Sequence, residues 1–598
     1  MTTSPKADGP RAWLLALAVA VLAAWNVREV VDFDFVAFDD DINIYFNARL
    51  GPPNRETLAW MWTDTVQMRR YVPLGWLVFS VGYWFSGLSP EGYHTLGVVF
   101  HALNAMLVCV VLMRVLARYA SHVEPTWRNG VAAAMALLWA WHPMRAETVG
   151  WCSGLLYGLS GSFALASVLT YLRAVGSEQR GRWVGATLLL FILSLLTYPL
   201  GLGLVGVFVA IDIAEWWRRS GQAGPESSIP WRRWAVEKIV LVIPAVVCAA
   251  LVWMAATNAH GMWTRPATVA DGQAWSRGLR GVAAAGYFLW RPLWPTHLSP
   301  SFTEFLRVGP SVIGSWLALA GVAVGLALAR PTWRVIGAAL LVAYLALLAP
   351  LLGWTERFYH PSDRYSYFAM MVLLAAGALG LALIPKRARV VAFATALVLA
   401  GIWSVMQRGQ LKIWRDTDTL MQRLVETAKA DGVRASHHWW WVEYHLRGGR
   451  LERAREVLTQ AQRYEAPAVL ERAATALREA EANPADRRAP RFAKAHQTWA
   501  MDFAREGRPI EAEEHFRAAR RTAPHFRETA FNLALFLQHQ GRVVEAVELY
   551  SFHIARAPAE EISNDARKFL LTRLAATFRA SGETRWAVAV ERERERIK

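Results

Sequence analysis

Three consecutive carboxylates, Asp39-Asp40-Asp41, stand just past the first long apolar run, inside Phe38-Asp39-Asp40-Asp41-Ile42-Asn43. Adjacent carboxylates repel one another and are costly to desolvate, so beside a membrane span they call for solvent, a cation or a hydroxyl-bearing substrate. We read them as the rim of an active site. Two chemistries suit such a rim: accepting a proton from a hydroxyl nucleophile, or holding a divalent cation such as Mg²⁺ or Mn²⁺ through Asp40 and Asp41. Further ionisable groups recur in loops: Arg69-Arg70-Tyr71, His142-Pro143-Met144-Arg145-Ala146-Glu147, Arg291 and Asp363-Arg364-Tyr365. Each also has a plainer reading, Arg145 and Glu147 as interface residues and Asp363 with Arg364 as a helix-start ion pair. His94, His101 and Asn104 fall on one helical face, since spacings of seven and three align side chains. That face suits either ligand contact or interhelical hydrogen bonds. Trp60, Trp62, Trp263, Trp290 and Trp294 read as membrane-interface belts, although an indole also stacks on a sugar ring.

The elements that must position these groups are mostly membrane helices. Over 598 residues, 54% are hydrophobic and 30 are Trp, far outside the soluble norm. The fold class expected is all-α, a polytopic helical domain followed by a helical solenoid. Long apolar runs fill 1–406; a connecting segment covers 407–434; the charged remainder, 435–598, has no run long enough to cross a bilayer. The net charge of +17 does not point to nucleic acid, because 407–598 holds 34 basic residues against 27 acidic ones, interspersed and without a basic block. The three cysteines lie in or beside apolar spans, which argues against a disulfide framework. Trp25-Asn26-Val27-Arg28 has no small-x-small cleavage pattern, so the first run reads as a retained span.

About eleven spans are expected, near 12–31, 94–117, 129–142, 150–172, 183–198, 200–214, 235–257, 311–329, 333–352, 365–384 and 388–406. The helices near 73–88 and 278–293 are expected not to cross. Short loops rich in Arg and Lys mark the cytoplasmic side, and with the N-terminus inside this places Arg114/Arg118/Arg128, Arg173/Arg180/Arg182, Arg218/Arg219/Arg232/Arg233, Arg330/Arg334 and Lys386/Arg387/Arg389 there. Every loop with unusual chemistry then falls on the opposite face. Ionisable groups at that depth are functional candidates because burying them is expensive.

Residues 435–598 carry an internal repeat. Gly507, Ala512, Phe516 and Pro524 recur 34 residues later as Gly541, Ala546, Tyr550 and Pro558, the register of tetratricopeptide repeats. Trp499 with Ala500 and Leu533 with Ala534 fit the first-helix packing positions, and weaker copies surround Gly449/Ala454/Leu458 and Gly582/Ala587. Such hairpins bury their apolar faces only against neighbours, forming a superhelix whose groove takes an extended peptide or protein partner. His437-His438-Trp439-Trp440-Trp441 reads as packing rather than metal ligation, since no second ligand pair is spaced nearby.

Taken in order, these motifs resemble a known family. Phe38-Asp39-Asp40-Asp41-Ile42-Asn43-Ile44-Tyr45-Phe46-Asn47 resembles the aromatic-Asp-Asp loop of the tetratricopeptide-repeat membrane O-mannosyltransferases and their bacterial relatives. Tyr71-Val72-Pro73-Leu74, His94 with His101 and Asn104, His142 to Val149, Asp363-Arg364-Tyr365 and Trp414 follow. The resemblance implies a type-C glycosyltransferase fold, a polyprenyl-phosphate sugar donor, inversion at the sugar carbon, and a protein or glycan acceptor on the periplasmic side of a bacterial inner membrane. It implies Asp39 as general base, with Asp40 as support or cation ligand. Arg69, Arg70, Arg145, Arg291 and Arg364 would serve the donor phosphate; His94, His101, Asn104, His142, Glu147 and Asp363 would line the substrate. Two departures stand out. Val72 replaces the usual Arg of Tyr-Arg-Pro-Leu, and Gly154-Leu155-Leu156-Tyr157 replaces a charged segment expected to face donor or acceptor. A catalytically silent repeat scaffold in cell-envelope assembly is the alternative reading.

Overall fold

In this computed structural model the described residues are 10–45, 47, 49–65, 70–87, 89–223, 231–258, 277–296, 298–300, 308–352, 361–430, 437–447, 450–462, 465, 467–482, 496–497, 500–501, 503–504, 507–522, 527–542, 545–546, 549, 564–580 and 582–595. Among them there are helices and turns but no strand. The chain divides into two units, one of 1–43 with 50–437, the other of 44–49 with 438–598.

Among the described residues the first unit has sixteen α-helices. They are α1 (Pro10–Val27), α2 (Arg55–Thr63), α3 (Pro73–Ser86), α4 (Pro90–Tyr119), α5 (Pro125–Ala140), α6 (Ala146–Gly150), α7 (Leu155–Ala174) and α8 (Arg180–Thr197), followed by α9 (Leu204–Ala223), α10 (Trp231–Asn258), α11 (Arg277–Trp290), α12 (Pro310–Leu328), α13 (Pro331–Leu348), α14 (Ser366–Ala382), α15 (Arg389–Leu411) and α16 (Thr417–Ala430). Proline opens α3, α4, α5, α12 and α13, where its missing N–H would have gone unpaired anyway and its φ suits the first turn.

Ten helical segments are long and apolar enough to cross a membrane among the described residues, so this is a multi-pass membrane protein. The eleventh expected span, near 129–142, is the 16-residue α5. At ~1.5 Å per residue it reaches about 24 Å, short of a ~30 Å hydrocarbon core. It ends because Pro143 disfavours helical backbone at His142, whose ψ is 133°. The helices expected not to cross, α3 and α11, have 14 residues each, below the ~20 that a span needs.

The 30-residue α4 is the central post, packed against α1, α3, α5, α7 and α14. Loops sort to the two ends of this bundle. At one end Phe38 meets Trp151 and Trp414, and His142 meets Pro292. At the other, Arg118 pairs with Glu215 and Arg180 with Glu237.

In the second unit, the alanines of the repeat register, Ala500, Ala512, Ala534 and Ala546, pack with Phe516, Leu533, Leu537 and Leu574 into one buried cluster. Gly507, Gly541 and Gly582 each turn the chain with φ of 73°, 76° and 79°, a region open to glycine and strained for most other residues. Trp439 and Trp441 are buried there, and His438 Nδ1 lies 2.8 Å from Glu465 Oε1. Trp263, Gly449, Trp499, Pro524, Tyr550 and Pro558 lie outside the described residues.

Candidate active site

The segment after α1 is tied down at almost every residue. Asp34 N donates to Arg415 O at 2.9 Å, and Ala37 N to Thr417 Oγ1 at 3.0 Å. Phe38 stands edge-on to Trp151 and Trp414, which tilt against each other at 5.9 Å. This aromatic wedge fixes where the carboxylates that follow can lie.

Those carboxylates then part company. Asp40 is fully buried; its Oδ1 accepts from both Ser153 N and Ser153 Oγ at 2.7 Å, and its Oδ2 from Val36 N at 3.1 Å. Burial pushes Asp40 up to about 7, against the pull of these hydrogen bonds. Asn43 Nδ2 adds a bond to Ser153 Oγ at 3.1 Å, so Asp40 and Asn43 clamp the loop to Ser153. Asp39, by contrast, is exposed and has φ of +79°, the only non-glycine residue with positive φ among those described. Left-handed backbone in a non-glycine residue is held by its surroundings and concentrates at functional sites; here the clamp on Asp40 supplies the constraint. Asn43 N donates to Asp39 O at 2.8 Å.

A second group of charges belongs to the turn after α5 and the start of α14. Glu147, 2% exposed, accepts from Arg364 N at 2.7 Å and pairs with its guanidinium. Arg364 lies over Trp151, 5.2 Å from the ring centroid. One indole thus touches both Phe38 of the carboxylate loop and the Glu147–Arg364 pair. Arg145 is fully buried between Trp139 and Tyr367. One of its nitrogens donates to Ser366 Oγ, while Nε and Nη1 have no hydrogen-bond partner among the described residues. Burial pulls its pKa down to about 10, so it stays charged at neutral pH. Asp363 is buried, its Oδ1 without a hydrogen-bond partner among the described residues, within electrostatic reach of Arg145, Arg291 and Arg364. Arg291 is buried over Tyr287 and Trp290.

Other expected site residues are placed differently. His101 lies 3.1 Å from Ala140 O and stacks on Trp139. Asn104 donates to Gly158 O and Tyr367 Oη, both at 2.8 Å, and accepts from Ser162 Oγ. These two hold helices together, the interhelical alternative open in the sequence. His94 Nε2 is 3.3 Å from Cys152 Sγ and 3.5 Å from Asp34 O, beneath the carboxylate loop. His142 caps its own turn, Nδ1 accepting from Met144 N, with Nε2 2.9 Å from Pro292 O. Arg70 lies over Tyr198 at 5.3 Å, and Arg69 lies outside the described residues.

The cation expectation for Asp40 and Asp41 fits poorly. Three protein donors occupy three of the roughly four lone pairs of Asp40, and no group of three His, Cys, Asp or Glu among the described residues is arranged to hold a metal ion. Gly154 to Tyr157 also differ from what their position implied, being buried in the protein. A Cβ on Gly154 would stand 2.7 Å from Thr148 O, so the turn is closed tightly and Leu155, Leu156 and Tyr157 enter the core. Sequence reasoning missed Ser153 and the role of Trp151. Nothing in spacing marks a serine 113 residues from the aspartate it binds.

No family model matches the chain. It is similar to curated protein O-mannosyl-transferases. TMTC3 of Mus musculus is 30% identical over 210 residues, 33% of this chain and 21% of that protein. TMTC3 of Homo sapiens is 29% identical over the same shares, and human TMTC4 28% identical over 218 residues, 29% of its length. The match thus spans less than a third of each relative. Among solved structures, ArnT from Cupriavidus metallidurans bound to undecaprenyl phosphate aligns over 92% of this chain and 82% of its own, at 14% identity and a TM-score of 0.34. A likeness that low leaves the fold of this chain to rest on its own helices.

Proposed function

We propose that this protein is a membrane glycosyltransferase that moves a sugar from a polyprenyl-phosphate donor to a hydroxyl of a protein or glycan acceptor. The observation that carries the reading is one end of the bundle holding both an exposed, conformationally constrained carboxylate and a buried guanidinium with two nitrogens unpaired among the described residues. Asp39 accepts the acceptor proton as its oxygen attacks the anomeric carbon. The bond from that carbon to the phosphate oxygen breaks, and polyprenyl phosphate leaves carrying the negative charge. Arg145, desolvated and lacking a full set of partners, stabilises that charge where it develops, with Arg364 and Arg291 beside it. A single displacement inverts the anomeric centre. Asp40, locked to Ser153, holds the loop and is a positioning residue.

By this reading the site faces the periplasm of a bacterial inner membrane, and the second unit, as tetratricopeptide repeats, presents the acceptor through its groove. The curated names of the similar O-mannosyl-transferases support a protein acceptor. One observation favours the alternative of a silent scaffold: Gly154 to Tyr157, which stand where the resembled family carries a charged segment, are buried. Titrating the purified protein in lipid with polyprenyl-phosphate sugars, and following release of polyprenyl phosphate for wild type and Asp39→Asn, separates the two. Turnover lost in the variant supports the transferase; binding of lipid without turnover in either supports the scaffold.

A further inference from the structure

Between the site-bearing ends of α1 and α15 lies a cavity of about 410 Å³ lined by Asn26, Arg28, Glu29, Val31, Asp32 and Arg408. Its volume is within the ~300–1,000 Å³ range of small-molecule sites, and none of its residues takes part in the transfer chemistry above. Its wall is built rather than incidental. Asn26 Oδ1 accepts from Ser404 Oγ at 2.5 Å and from Arg408 Nε at 2.9 Å, and Asn26 Nδ2 donates to Gln407 Oε1 at 2.6 Å. Arg408 is therefore oriented by a buried amide. Arg28 is fixed as well, stacked 3.7 Å over the Trp25 ring and bonded to Trp25 O.

The cavity presents both signs of charge. Arg28 and Arg408 supply cations. Glu29 and Asp32 supply carboxylates, and Glu29 Oε1 is buried without a hydrogen-bond partner among the described residues. A desolvated carboxylate oxygen in that state favours an N–H donor. Below the polar rim, α1 and α15 expose apolar side chains, among them Leu17, Val21 and Leu22 on α1 and Ile402 and Val405 on α15, as acyl chains require. Trp25, exposed beside Arg28, has the amphipathic ring common at the headgroup level.

We infer that this cavity binds the headgroup of a zwitterionic phospholipid carrying a primary amine, its phosphodiester between Arg28 and Arg408 and its ammonium against Glu29 and Asp32. Charge complementarity selects that occupant. An anionic headgroup without an amine leaves both carboxylates facing its negative charge, and a quaternary ammonium has no N–H for Glu29. The inference does not depend on the transferase reading.

Native mass spectrometry of the full-length protein, delipidated and then titrated with phosphatidylethanolamine, phosphatidylcholine or phosphatidylglycerol of matched chains, tests it. Wild type is expected to retain phosphatidylethanolamine about tenfold better than either competitor. Glu29→Gln with Asp32→Asn should abolish the preference over phosphatidylcholine. Arg28→Gln with Arg408→Gln should lower retention of all three lipids. Because Arg408 also bonds Asn26, the single variant Arg28→Gln, at an exposed position, is the control for folding and should weaken retention on its own. Equal retention of the three lipids by wild type, a preference for phosphatidylglycerol, or a phosphatidylethanolamine preference unchanged in the carboxylate variant would each overturn the assignment.

Discussion

The two ends of the membrane bundle use the same residue types to opposite effect. At the end away from the site, Asp212 accepts from Tyr171 Oη at 2.6 Å, Lys238 Nζ at 2.5 Å and Arg180 at 3.2 Å, and Arg180 also pairs with Glu237 at 2.6 Å. Glu215 gathers Arg118, Arg218 and Arg219. There each buried carboxylate has its cations. At the site end, among the described residues, Arg145 lacks hydrogen-bond partners on two nitrogens and Asp363 on one oxygen, and Asp39 is held exposed in a left-handed turn. Saturated pairing makes a brace; incomplete pairing of buried charge is maintained where a ligand completes it.

Single substitutions can break this contrast. The largest effect is expected from Asp39→Asn, a loss of about 10²–10⁴-fold in turnover with an unchanged Tm, because asparagine tolerates left-handed backbone. At the braced end, Asp212→Asn should cost about 3–5 kcal/mol by stranding buried cations. Denaturant unfolding would record that loss, and the surviving folded protein should keep its specific activity. Arg145→Met inverts the pattern. Turnover should fall about 10²–10³-fold while thermal unfolding shows a Tm equal to or above wild type, since a buried charge with incomplete hydrogen bonding is removed. A Tm drop of several degrees in Arg145→Met would place Arg145 among the braces instead.

Asp40 sharpens the comparison from within the site. Asp40→Asn must turn an amide N–H towards Val36 N or the Ser153 donors, costing about 1–3 kcal/mol. The smallest effect concerns pH. Asp40 has a folded pKa near 7, raised above its value of 3.8 by burial, so the folded state holds its proton more tightly than the unfolded chain. Stability from this group is full below about pH 4 and declines as pH rises towards 7. Thermal melts at pH 5 and pH 8 should show the wild-type advantage over Asp40→Asn narrowing at the higher pH.

Local order made much of this molecule legible in its sequence. Apolar run length gave ten of the eleven expected spans, and the carboxylate loop announced itself because three adjacent charges beside a span need a reason. At α5 the helix stops at Ala140, two residues short of the expected end, with Pro143 three residues beyond it. Less legible was the division of labour within Asp39-Asp40-Asp41. Identical side chains in series carry no sign of which one will be buried.

Composition, hydrophobic period and loop charge thus determined the helices, their alternation between the two ends and the neighbourhood of the site, because each depends on residues close in the chain. Tertiary structure alone decided that Asp40 is bound by Ser153, that Trp151 joins the carboxylate loop to the Glu147–Arg364 pair, that His101 and Asn104 tie helices together, and that Arg145 is left short of partners. Those outcomes depend on which side chains meet across tens to hundreds of residues, and burial and hydrogen-bond saturation exist only once the helices have packed.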